Sequence, residues 1–280
     1  MKFIDKLKKR LDTINSHLCV GLDSNYDLIP SEIKSHKKIG QAIFDFNKNI
    51  IEATYKLVVA YKINLIFYES CGFEGLKGLR LTTNFLKNNF PEIPLMADCK
   101  RAEIDEGVLM LKRQIFDWLG FDCIMITPWF GYDSIKDLLS DTTYGISVYV
   151  HDSNPSASDF QDLRLGNGQF LYEKVAEQIV EKWNQYGNVI VEAGATYPKQ
   201  LKKVRQIVGE SMPILTAGIG TQGGKIENLK GLFGESNHRL IVACSRKIIF
   251  AGIGKKNYFE AVKKEAEILR HKLLFTSYLK

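Results

Sequence analysis

Pro94-Leu-Met-Ala-Asp-Cys-Lys-Arg-Ala-Glu-Ile-Asp105 is the stretch that decides how the chain folds. Its apolar start reads as a buried strand, and it runs directly into Asp98, Lys100 and Glu103, with Asp105 and Glu106 just beyond. Side chains alternate faces along a strand, so Asp98 and Lys100 are expected to share one face at its carboxyl end. In isolation a D-x-K would be an ordinary solvated ion pair. If the shared face is the inside of a barrel, the same residues are an acid and a base held together where few charges are tolerated.

The chain on either side repeats this pattern. Short apolar runs occur at Leu18 to Leu22, Leu57 to Lys62, Ile93 to Asp98, Asp122 to Thr127, Gly145 to Val150, Asn188 to Ala193, Pro213 to Ala217 and Arg239 to Ala243. Helical periodicity lies between them, at Ile39 to Thr54, Gly75 to Asn88, Val108 to Leu119, Gly168 to Trp183 and Pro198 to Val208, with Asn257 to Leu274 closing the chain. Buried apolar strands alternating with helices imply a parallel sheet, and eight repeats predict a closed (β/α)8 TIM barrel. Phe3, Ile4, Leu7 and Leu11 add an N-terminal capping helix over residues 1–13. No low-complexity linker interrupts residues 1–280, so one domain is expected. Asp23, Lys62, Asp98, Lys100, Ser153 and Arg246 all fall at or just past strand carboxyl ends, the face that carries the chemistry in such barrels.

Composition narrows the setting. With 25% charged and 45% apolar residues the chain is ordinary globular material, and its dispersed net charge of +6 suits a phosphorylated substrate without arguing for nucleic acid. The five cysteines have wide, irregular spacing and no C-x-x-C, so neither a zinc site nor a disulfide framework is expected. His17, His36, His151, His238 and His271 show no metal-ligand spacing. No stretch approaches a membrane span and the start lacks a signal peptide's apolar core, so a cytoplasmic protein is expected.

Two loops point to a phosphate. Gly218-Ile-Gly-Thr-Gln-Gly-Gly224 matches G-x-G-x-x-G, but it follows the seventh strand and does not open a leading βαβ unit, so a dinucleotide reading does not apply. After strand seven of a barrel, glycines let backbone N–H groups approach a phosphate closely. Val242-Ala-Cys-Ser-Arg246 follows strand eight and offers a guanidinium fork to the same group. Asp152-Ser-Asn-Pro-Ser-Ala-Ser-Asp159 leaves strand five as a turn-rich loop, with Ser153 placed to meet a polar ring.

These segments resemble the orotidine 5′-phosphate decarboxylase family, in its longer bacterial-type subgroup. The resemblance rests on Cys19-Val-Gly-Leu-Asp23, Phe46-Asn47, Tyr61-Lys62 through Phe67-Tyr-Glu69, Asp98-Cys-Lys100, Pro128 through Ser134, Ser153-Asn-Pro155, Asp159 through Leu163, Gly194-Ala-Thr-Tyr-Pro198, Gly218 through Gly224, and Ser245-Arg246. It implies a homodimeric barrel that converts orotidine monophosphate to UMP without metal or cofactor. The implied catalytic set is Asp98, Lys100, Glu103 and Lys62, with Lys100 as proton donor, Asp98 against the departing carboxylate and Glu103 reaching the partner's site. Asp23 and Lys62 would hold the ribose hydroxyls and Ser153 the pyrimidine. Gly218, Gly220, Gln222, Gly223 and Arg246 would hold the phosphate.

The family pattern D-x-K-x-x-D-I has Glu103 in place of its last aspartate here, Gly107 in place of a threonine, and Asp152 in place of a threonine before Ser153. Two alternatives therefore stay open: a metal-dependent barrel enzyme acting on a sugar phosphate, using Glu103, Asp105 and Glu106, and a UMP-binding homologue with weak or lost catalysis.

Overall fold

The computed structural model describes residues 1–233 and 240–278. Eight parallel strands close into a barrel in sequence order: β1 (Leu18–Gly21), β2 (Ala60–Asn64), β3 (Leu95–Arg101), β4 (Cys123–Ile126), β5 (Gly145–His151), β6 (Val189–Ala193), β7 (Ile214–Thr216) and β8 (Leu240–Cys244). Each expected strand is present. The second begins later than its apolar run, because the Leu57 N–H bonds to Thr54 O and closes a turn first. Arg239 and His238 lie outside the described residues.

The main helices are α1 (Phe3–Ile14), α2 (Ile39–Thr54), α3 (Gly72–Asn89), α4 (Glu106–Lys112), α5 (Leu171–Gln178), α6 (Pro198–Val208), α7 (Arg246–Ile249) and α8 (Tyr258–Ser277). The helical periodicity read over 108–119 and 168–183 is shared between two windings. Both α4 and α5 pass into π-helical turns, at Arg113–Trp118 and Ile179–Trp183.

Burial separates two apolar layers. Alternate strand residues Cys19, Ala60, Met96, Cys123, Met125, Ile190, Leu215 and Ile241 fill the barrel itself. Their outward neighbours Val20, Tyr61, Ala97, Ile124, Val191 and Val242 pack under the helices. The amino-terminal end is closed by α1, which inserts Phe3, Leu7 and Leu11 into the inner layer. Burying each of these is worth about 1.5–3 kcal/mol. Gly145 permits this closure, since a Cβ there would lie 2.2 Å from the Phe3 ring. Lys6 Nζ to Asp122 Oδ2 at 2.8 Å fixes the helix on the barrel rim. With one end plugged, the strand carboxyl ends form the open mouth. No helix among the described residues is long and apolar enough to cross a membrane.

Candidate active site

A cavity of about 410 Å³ opens at the carboxyl ends of the strands. It is lined by Asp23, Lys62, Asp98, Lys100, Ser153, Gly218, Gln222 and Arg246, which brings together eight of the residues read from the sequence. Glu103, Gly220 and Gly223 are not on its wall.

At its inner end three donors converge on one carboxylate. Lys62 Nζ lies 2.6 Å from Asp98 Oδ2, Lys100 Nζ bonds Asp98 Oδ1, and the Tyr149 hydroxyl donates to the same Oδ1 at 2.7 Å. Asp98 and Lys62 are each only 5% exposed. Burial alone would raise the carboxyl's pKa, but the Lys62 and Lys100 ammonium groups outweigh it and hold Asp98 well below the usual carboxylate range. Burial likewise works against the Lys62 charge, and Asp23 and Asp98 reverse it, so this ammonium is held more firmly than a free lysine's. Asp23 approaches Lys62 Nζ at 3.5 Å and accepts from the Asn64 N–H at 3.4 Å.

Simple alternation does not describe how Lys100 reaches Asp98. The register shifts between Asp98 and Arg101, and Lys100 has φ +51°, a left-handed conformation uncommon for a side chain of this size. The side chain is half in solvent while its amine turns back onto the buried carboxylate. Strain of this kind persists only where surrounding contacts over-determine it, here the three-donor cluster.

A polar network behind the barrel wall sets Asp23. Buried Asn47 on α2 accepts from Ser24 Oγ at 2.5 Å and donates to Tyr68 Oη and Thr82 Oγ1, both at 2.9 Å. Tyr68 in turn donates to Leu22 O at 2.8 Å, pinning the residue before Asp23. That gives the Phe46-Asn47 and Phe67-Tyr-Glu69 segments a physical task.

The outer end is made of loops. Ser153 Oγ donates to Gln222 Oε1 at 3.2 Å, tying the loop after β5 to that after β7, and Thr196 Oγ1 donates to Ser153 O at 2.8 Å. Gly218, Gly220 and Gly223 have φ of +99°, +95° and +88°, so the turn needs residues without a Cβ. Gly220 and Gly223 thus shape the loop rather than line the cavity. Arg246, the first residue of α7, is exposed and lines the mouth beside Lys247.

Glu103, Asp105 and Glu106 are all exposed, and among the described residues no group of three or more His, Cys, Asp or Glu side chains is placed to hold a metal ion. Glu103 folds over its own chain. A Cβ at Gly107 would sit 2.9 Å from Glu103 Oε2, so the longer acid and the missing side chain at 107 occupy one space.

Among the lining residues that the sequence reading did not single out are Tyr149 and Glu192, register partners on β5 and β6. Glu192 did leave a signal, as the one acid within Val189-Ile-Val-Glu-Ala193, two residues from inward-facing Ile190. Burial, followed by the neighbouring Asp98, pushes its carboxyl up to about 8.

A closed parallel barrel with a buried ammonium–carboxylate cluster at its open mouth defines an acid–base active site of the TIM-barrel class. Residues 16–261 match the Orotidine 5'-phosphate decarboxylase / HUMPS family, and the chain belongs to it. It is 36% identical over 258 residues to an orotidine 5'-phosphate decarboxylase of Christiangramia forsetii, covering 92% of each chain. It is 39% identical over 255 residues to one of Thermomicrobium roseum, covering 90% of this chain and 88% of that one. The solved structure of Leishmania donovani OMP decarboxylase superimposes with a TM-score of 0.84 at 27% identity, over 100% of both chains.

Proposed function

We propose that this protein decarboxylates orotidine 5′-monophosphate to UMP, with Lys100 as the proton donor. The observation that carries the reading is the Lys62–Asp98–Lys100 cluster at the inner end of a cavity whose outer end is the Gly218–Gly223 turn and Arg246. Heterolysis of the bond between C6 and the carboxylate releases CO₂ and leaves an electron pair in the ring plane, where no resonance sink accepts it. Fixed charge must stabilise that pair and a proton must be delivered to C6 promptly. Lys100 meets both needs, because Asp98 holds its ammonium at the inner end of the cavity. One such contact at about 4 Å and an effective dielectric near 20 is worth on the order of 4 kcal/mol. Asp23 and Lys62 hold the ribose hydroxyls, Ser153 and Gln222 meet the base and phosphate, and Arg246 grips the phosphate. Binding energy at that remote end then offsets the cost of forcing the substrate carboxylate against Asp98.

The reading includes a cytoplasmic homodimer acting in pyrimidine synthesis. Ile104, Leu109, Met110, Trp129 and Phe130 are exposed around Glu103, an apolar surface suited to a second copy, with Glu103 passing to the neighbouring site. The test of function is loss of orotidine monophosphate absorbance by the purified protein, with and without a chelator. The reading requires turnover that the chelator leaves intact. Mixing inactive Lys100→Ala and Glu103→Ala chains should recover part of the activity if each site draws on two chains.

A further inference from the structure

Among the described residues, Glu192 is the one carboxyl lining the cavity with no hydrogen-bond or ion-pair partner. It is 7% exposed, lines the cavity, and its Oε2 has no hydrogen-bond partner. The side-chain donors nearby converge on Asp98 instead. Asp98 takes Lys62, Lys100 and the hydroxyl of Tyr149, the register neighbour of Glu192. A buried carboxylate in that position would lie beside Asp98 and Asp152 and share with them the pull of Lys62 and Lys100, whereas a buried carboxylic acid has an O–H to offer.

Building on the decarboxylase reading, we propose that Glu192 is a specificity residue: as the neutral acid it donates a hydrogen bond to an oxygen of the substrate's reacting carboxylate. The placement supports it on two counts. Glu192 lines the same cavity as Asp98 and Lys100, and its register partner Tyr149 donates to Asp98, which puts its carboxyl at the end where the substrate's carboxylate must sit for Lys100 to reach C6. The reacting carboxylate is in addition the kind of group a neutral acid binds, an acceptor with negative charge. UMP carries only hydrogen at C6 and cannot take this bond, so Glu192 discriminates substrate from product.

The charged and titratable groups facing it are Asp98 and Lys100 on β3, Lys62 on β2, Tyr149 on β5, Asp152 just after β5, and Cys19 on β1. Burial and Asp98 raise its carboxyl to about 8, which keeps the proton in place at neutral pH. Above that, an ionised Glu192 repels the substrate's carboxylate instead of binding it.

The experiment is a pH series of orotidine monophosphate turnover and UMP binding for the unaltered protein, Glu192→Gln and Glu192→Val. The unaltered protein should lose kcat/KM as pH rises through about 8, and Glu192→Gln, which keeps a donor but cannot ionise, should lack that fall. Glu192→Val should raise KM for orotidine monophosphate about tenfold or more without lowering kcat, while UMP affinity stays within twofold. The proposal is overturned by an alkaline fall that persists in Glu192→Gln, by no fall in the unaltered protein, or by equal weakening of substrate and UMP. Absence of turnover in the unaltered protein overturns the functional reading and this proposal with it; normal turnover with unresponsive variants overturns the proposal alone.

Discussion

At the inner end of the cavity buried Asp98 is met by three donors, whereas at the rim Arg246 stands exposed and makes no ion pair among the described residues. The inner end is organised before any ligand arrives: its charges are fixed against one another, and little reorganisation is left for the reaction. The rim is a glycine turn beside a long, exposed arginine, and under the proposed function its order is completed by the substrate's phosphate. Chemistry and affinity are thereby placed on different structural supports, and the two ends should respond to substitution in different currencies, kcat inside and Kd outside.

The largest expected effect tests the inner end. Lys100→Ala should lower turnover by about a thousandfold or more, the scale of a lost general acid plus a lost charge, with thermal stability and UMP affinity largely kept. A parallel collapse of UMP binding would mean the inner cluster serves affinity as well. Next comes the rim: Arg246→Ala should weaken UMP by about 10- to 100-fold, the worth of a charge-assisted contact, and leave uridine binding unchanged. Calorimetric titration of both ligands checks it, and equal losses would remove Arg246 from the phosphate site.

A smaller effect concerns stability. In the unfolded chain a glutamate titrates near its ordinary 4.5, and Glu192 in the folded protein near 8, so across that interval the folded state keeps a proton the unfolded state has lost. The stability from this group is complete below about pH 4.5 and declines as pH rises toward 8, by at most about 1.4 kcal/mol per pH unit. Asp98 has the opposite sign: its depressed pKa gives stability above the ordinary 3.8 that is lost on acidification, outside the window. Melting curves from pH 5 to 8 should therefore fall more steeply for the unaltered protein than for Glu192→Gln; parallel curves would contradict the burial argument.

The smallest effect sits between the two ends. Because Glu103 fills the space over Gly107, Gly107→Thr alone should lower turnover a few-fold, and adding Glu103→Asp should restore or exceed the original rate. Simple additivity in a double-mutant cycle would show that the two positions do not share that space.

The barrel was legible because its cause is periodic: eight apolar runs alternating with helices, several of them followed by polar residues, fit a closed parallel sheet around a buried interior. The rim's placement was legible because a glycine run after the seventh strand and an arginine after the eighth must fall at the barrel mouth, and the positive φ at Gly218, Gly220 and Gly223 bears out the demand for glycine. The inner end was only partly readable. Asp98 and Lys100 stood out, but strand alternation could not anticipate the register shift and left-handed Lys100 that aim its amine. Tyr149 and Glu192 were hidden for another reason: one tyrosine and one acid inside apolar runs look like packing until the closed sheet sets them side by side next to Asp98.

The central claim is that the Lys62–Asp98–Lys100 cluster converts orotidine monophosphate to UMP by protonating C6. Its most direct measurement is the orotidine monophosphate absorbance assay run on the unaltered protein and Lys100→Ala side by side, with UMP identified as the product. The account predicts sustained UMP formation by the first and none resolvable by the second, although both bind UMP. No UMP from the unaltered protein, or comparable rates from the two, would contradict it.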